Sequence, residues 1–97
     1  MKKLTEAEIE RIASRFRALS EARRLKIIAC LQEGEKSVTD LVDATELSQP
    51  NVSRHLSTLV HSGLIGRRKS GTTVLYKIID KSLAEICSIV CKSICER

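Results

Sequence analysis

The stretch Leu47-Ser48-Gln49-Pro50-Asn51-Val52-Ser53-Arg54-His55-Leu56 decides how this 97-residue chain reads. Ser48 is a helix-capping residue, and Pro50 falls in the first helical turn, where a missing N–H costs nothing. Val52, Leu56, Leu59 and Val60 follow at helical spacing, and Gly63 stops the helix. Its other face is polar. Ser48, Gln49, Asn51 and Ser53 put short side chains at the N-terminal turn, as a helix entering a major groove requires, since bulk there would hold the backbone off the bases. Gln49 and Asn51 carry the amide geometry that pairs with adenine, and Arg54 has the reach for guanine or phosphate. His55 reads as a backbone contact on the adjacent face.

Working outward, a short helix fits Val38 to Ala44, with Ser37 or Thr39 at its start. Upstream, Thr5 caps a first helix with Ile9, Ile12, Ala13, Phe16 and Leu19 in register. Ser20 is expected to cap a second, with Leu25, Ile28, Ala29 and Leu31, ended by Gly34. Downstream the period changes. Leu64-Ile65 leads through Arg67-Arg68-Lys69 to Ser70-Gly71, and then to the β-branched run from Thr72 to Ile79. That is a hairpin with a basic first arm, with Thr73, Leu75 and Lys77 pointing outward. Asp80 or Ser82 opens a last helix carrying Leu83, Ile86, Val90 and Ile94 on one face. The expected fold is mainly α with a small β-hairpin, in the order α-α-α-α-β-β-α: a short helix, a turn, a capped helix and a basic wing. Residues 1–97 read as a single winged helix-turn-helix domain with dimerisation helices at both ends. The apolar stripes of the first and last helices exceed what one small domain can cover, so a homodimer is expected.

Charge supports a polyanionic partner. The net charge is +5, but residues 48–77 hold five basic groups, both histidines and no carboxylate. Residues 27–47, in contrast, carry one basic group and five acids. Aromatics are 2% of the chain, Phe16 and Tyr76, so a base-stacking single-strand platform is not supported. Hydrophobic residues at 42% and a mean hydropathy of −0.09 fit a globular domain. No run reaches the ~18 apolar residues of a membrane span, and no apolar stretch follows Lys2-Lys3, so a cytoplasmic location is expected. An enzyme is not: there is no Gly-rich phosphate loop, nucleophile–base pair or carboxylate pair in an apolar setting.

The quoted stretch, with Leu59, Gly63-Leu64-Ile65, Arg67-Arg68, Gly71, Tyr76 and the upstream Ala18-Leu19-Ser20-Glu21-Ala22-Arg23-Arg24-Leu25, resembles the ArsR/SmtB repressors over residues 15–79. The resemblance implies a homodimer that binds double-stranded operator DNA and releases it when an effector binds. Contacts are then expected from Ser48, Gln49, Asn51, Ser53, Arg54 and His55, and from Arg67, Arg68, Lys69, Ser70 and Thr72 in the wing, with no cofactor needed.

Metal-sensing members of that family carry ligands either in a Cys-containing start to the third helix or in an Asp/His set on the last. Here the first position reads Ser37-Val38-Thr39-Asp40-Leu41, and residues 80–97 hold Asp80 but no histidine. What remains is Cys87, Cys91 and Cys95, four residues apart on one helical face. Adjacent thiols can bridge one soft ion, but Cys87 and Cys95 are separated by about 12 Å of rise. A third sulfur must then come from a frayed terminus, a partner subunit or Cys30. Thiolates without imidazole suit As(III) or Sb(III), or cadmium or lead, ahead of zinc. Thiols in a reduced chain also serve as small hydrophobes at a dimer interface. A redox or persulfide sensor of the same family would pair Cys30 with Cys95, although Cys30 sits one position off that pattern, among Ile27, Ile28 and Leu31.

Overall fold

The computed structural model describes residues 3–95. Five helices and three strands follow in the order α1 (Glu6–Leu19), α2 (Ala22–Leu31), β1 (Lys36–Ser37), α3 (Val38–Thr45), α4 (Gln49–His61), β2 (Ile65–Ser70), β3 (Thr73–Ile78) and α5 (Leu83–Cys95). This is the winged helix-turn-helix expected from the sequence, with one added element. The two-residue β1 pairs antiparallel with β3, giving the sheet order β1-β3-β2. Two residues carry no readable period, so β1 is legible only from its partner.

Local chemistry explains most boundaries. Thr5 and Glu8 form a capping box at α1, and Ser37 and Asp40 form another at α3. Ser48 accepts the Asn51 N–H at 3.3 Å and starts α4. The cap of α2 is Glu21 rather than Ser20. Its carboxylate accepts the Arg23 and Arg24 N–H groups at 2.6 and 3.1 Å, while Ser20 closes α1 through the Arg17 carbonyl. Glu46 ends α3 in the left-handed region, at φ 63°, and with Leu47 and Ser48 makes the tight turn into α4. Gly71, at φ 64°, takes the first of two loop positions between Ser70 and Thr73, where a positive φ matches the twist of the hairpin.

The core is aliphatic. Ile27, Ile28, Leu31, Leu41, Val52, Leu56, Leu59, Leu64, Ile65 and Leu83 are almost wholly buried. It is built by α2, α3, α4 and the root of the wing. The end helices contribute little: among the described residues, α1 buries Ala18 and α5 buries Leu83. Their stripes stay open to solvent, with Phe16 at 54%, Ile89 at 68% and Ile94 at 76% exposure. Arg15 of α1 ties the two ends together through Asp80 at 2.7 Å. In the wing, Thr73 and Lys77 are exposed as expected, but Leu75, opposite Ser37 of β1, is half-buried.

Candidate nucleic-acid interface and thiol row

On α4 the structure separates two faces. Val52, Leu56 and Leu59 face the core, while Gln49, Ser53 and Arg54 are exposed and Asn51 is half-exposed. Arg54 Nη2 donates to Asn51 Oδ1 at 2.7 Å, which holds the amide in place. Ser48 and Gln49 stand exposed at the first turn, where Pro50 has no N–H and Ser48 already takes that of Asn51. In the wing, Arg67, Arg68, Lys69, Ser70 and Thr72 are all exposed around the hairpin tip.

His55 departs from the expectation. It is 5% exposed and lies on the inner side of α4, so it offers no surface to a phosphate. Its spacing from Val52 and Leu59, three before and four after, already placed it on the apolar stripe. Arg24 Nη1 approaches His55 Nδ1 at 3.4 Å. A guanidinium can only donate, so Nδ1 accepts and the proton sits on Nε2, which is buried without a partner among the described residues. Burial first, then the charges of Arg24, Arg54 and Arg23, hold His55 below its ordinary pKa, with Glu21 opposing. The same Arg24 donates Nε to the Ala18 carbonyl at 2.6 Å and Nη2 to the Arg17 carbonyl at 3.3 Å. It thus pins the end of α1 to the back of α4. Sequence reading gave Arg24 no such role, because its partners lie six, seven and thirty-one positions away.

The thiols of α5 lie along its apolar stripe. Cys87, Cys91 and Cys95 border a groove of about 460 Å³ closed by Phe16, Leu25, Ile28 and Ala29. Cys87 is half-buried, and burial pushes its pKa up; Cys91 and Cys95 are exposed, and a hydrogen bond from one to the other raises Cys95. No group of three metal-binding side chains is assembled among the described residues. Glu96 and Arg97, on which the expectation of a frayed terminus leaned, lie outside the described residues. Cys30 packs against the core and borders a different cavity, with Glu33, Lys36 and Asp40. Its neighbour Ala29 is the residue that faces the α5 row.

A capped helix presenting amides and hydroxyls, preceded by a tight helical turn and followed by a basic hairpin, defines the class of winged helix-turn-helix DNA-binding domains. Within that class, the family model of bacterial regulatory proteins of the arsR family matches residues 21–66. The chain is 41% identical over 71 residues to the transcriptional repressor SmtB of Mycobacterium tuberculosis, covering 73% of this chain and 53% of that one. It is 45% identical over 64 residues to the arsenical resistance operon repressor of Escherichia coli, covering 65% and 55%. An uncharacterized helix-turn-helix transcriptional regulator of Methanocaldococcus jannaschii is 35% identical over 82 residues, covering 84% and 92%. A homodimeric winged helix-turn-helix DNA-binding domain of Mycobacterium bovis superposes with a TM-score of 0.81 at 29% identity, covering 93% and 86%. The chain belongs to the ArsR/SmtB family, whose matched members are transcription regulators rather than enzymes. It spans about half the length of the first curated relatives it matches. No helix among the described residues is long and apolar enough to cross a membrane.

Proposed function

We propose that the chain is a homodimeric repressor that holds operator DNA through α4 and the wing and releases it when a thiophilic ion engages the thiolates of α5. The observation that carries the DNA half is the exposed polar start of α4 beside a basic wing, in a segment free of carboxylates. Gln49, Asn51 and Ser53 would read base edges, and Ser48, Arg54, Arg67, Arg68, Lys69 and Thr72 would hold the backbone. DNA binding needs no cofactor in this reading. The unburied stripes of α1 and α5 and the homodimeric Mycobacterium bovis relative support pairing through both end helices of one domain. Two recognition helices would then meet successive major grooves about 34 Å apart on a near-palindromic site. Such a protein works where the DNA is, in the cytoplasm.

For the effector, the donor set fits As(III), Sb(III), cadmium or lead. Cys87 and Cys91 would supply two sulfurs, and the third would come from Cys95 if the last turn frays or from a thiol of the partner subunit. The arsenical-resistance relative supports that inducer class. Because the thiols lie on a helix proposed for the dimer interface, an ion there acts by favouring a dimer whose recognition helices miss the groove spacing. Thiolates are the binding form, so affinity rises with pH as the elevated thiols of Cys87 and Cys95 ionise. The placement of Cys30 away from the α5 row gives no support to a thiol switch between Cys30 and Cys95. Operator release by arsenite or cadmium tests the proposal: wild type and Cys30→Ser should respond, while Cys91→Ser should bind DNA and ignore the ion. A metal-responsive Cys91→Ser protein, or a Cys30→Ser protein that fails only with oxidant or persulfide, would overturn it.

A further inference from the structure

Behind Arg54, the end of α1 and the second half of α4 wall an open cleft of about 500 Å³. Ser14 and Arg17 line it from α1, and Arg54, Ser57, Thr58 and His61 line it from α4. Among the described residues, no carboxylate lines it. Arg24 lies at its edge with its guanidinium already committed to the Ala18 and Arg17 carbonyls and to His55, so it adds fixed positive charge. Among the described residues, Arg17 pairs loosely with Glu10 at 3.9 Å, both side chains being well exposed. Such a pair holds little free energy and yields readily to a stronger anion.

We infer that this cleft grips a backbone phosphate of duplex DNA beyond the bases read by the first turn of α4, extending the footprint onto α1. Guanidinium and hydroxyl donors without an acid are the chemistry that recognises a phosphodiester. The cleft is an open trough rather than an enclosed pocket, which suits a polymer passing across it better than a free anion. It also continues from the proposed base-reading face, since Arg54 belongs to both. Dimerisation would leave it open: at 100° per residue, Ser14 and Arg17 project roughly 160° and 100° around α1 from Phe16. The inference rests on the DNA-binding reading above.

The test compares Arg17→Ala with Arg11→Ala, an equal loss of charge at an exposed position of α1 that does not line the cleft. Affinity for operator and random duplexes is measured against salt. Arg17→Ala should weaken both duplexes by the same factor and reduce the slope of log K against log salt by about 0.9, while Arg11→Ala leaves the slope unchanged. In wild type, a neutral methylphosphonate linkage at one position flanking the base-read segment should cost the same as Arg17→Ala, and should cost nothing further in that variant. Equal effects of the two substitutions would mean a diffuse field rather than a contact, and would overturn the inference. So would Arg17-dependent binding of inorganic phosphate to a protein whose DNA affinity Arg17→Ala does not change. Failure of wild type to bind any duplex would overturn the DNA-binding reading as well, whereas an unchanged slope in Arg17→Ala overturns this inference alone.

Discussion

Arg68 in the first wing strand donates Nε and Nη2 to the two carboxylate oxygens of Glu35, at 2.7 and 2.8 Å. The paired, planar geometry couples the wing to the segment just before β1, and the Arg68 hydrogen bond is the main reason the Glu35 carboxyl titrates below its ordinary value. One of the three cations of the first wing strand is therefore already paired in the free protein. Glu35→Gln should release it, tightening binding to operator and random DNA alike and steepening the salt dependence by about one unit. Arg68→Ala should cost less than Arg67→Ala or Lys69→Ala. Fluorescence anisotropy across a salt series checks both, and equal losses for all three wing variants would mean that Arg68 leaves Glu35 on the DNA.

Sequence readout is expected to reside in the first turn of α4. Gln49→Ala and Asn51→Ala should each cost about 1–3 kcal/mol on the operator and little on random duplex. Arg54→Ala removes both a charge and the 2.7 Å bond that fixes Asn51, so it should weaken every duplex and narrow the gap between operator and random DNA. Competition binding with the two duplexes distinguishes these patterns. If Gln49→Ala weakened both equally, α4 would not be the reading helix.

Stability should fall on mild acidification because of His55. Its folded-state pKa lies below 6.5, so the unfolded chain takes up the proton first as pH drops. The contribution is complete above pH 6.5 and is lost as pH falls through and below that value. Protonation would also set an imidazolium against Arg24, Arg23 and Arg54, with Glu21 the one opposing charge among the interactions that shift it. Urea midpoints between pH 7.5 and pH 5 should decline in wild type, and His55→Leu should remove part of that decline. Parallel curves for the two proteins would place the titration elsewhere.

The turn between α3 and α4 stores a small backbone strain. Glu46 is exposed, is not glycine, and sits at φ 63°. Glu46→Gly relieves the left-handed penalty but loosens the unfolded chain, for a net gain of about 0.5–1 kcal/mol. Chemical denaturation measures it directly. A lower midpoint would mean that the Glu46 side chain contributes more than its conformation costs.

Much of the candidate interface was legible because it obeys local rules. Ser48 caps its own helix, Pro50 fits only a first turn, and the acid-free composition of residues 48–77 is a property of the chain before it folds. The caps at Thr5 and Ser37, the wing turn at Gly71 and the core positions Val52, Leu56 and Leu59 followed from the same short-range chemistry. His55 was legible too, by its period, but its polarity drew it to the wrong face.

What the sequence by itself determined is the order of the elements, the face of α4 that carries polar side chains, and the spacing of the three α5 thiols. These depend on residues within about one turn of each other, where helix geometry leaves little choice. Tertiary structure alone decided which charges remain available and which thiols share a surface. Glu35 meets Arg68 across thirty-three positions, Arg24 reaches His55 across thirty-one, and Arg15 finds Asp80 across sixty-five. Ala29 rather than Cys30 turns toward α5 because the packing of α2 fixes its rotation, and one residue is 100° of helix. No local propensity encodes such pairings; they exist only once the burial of Ile27, Ile28, Leu41 and Leu59 has set the helices against one another.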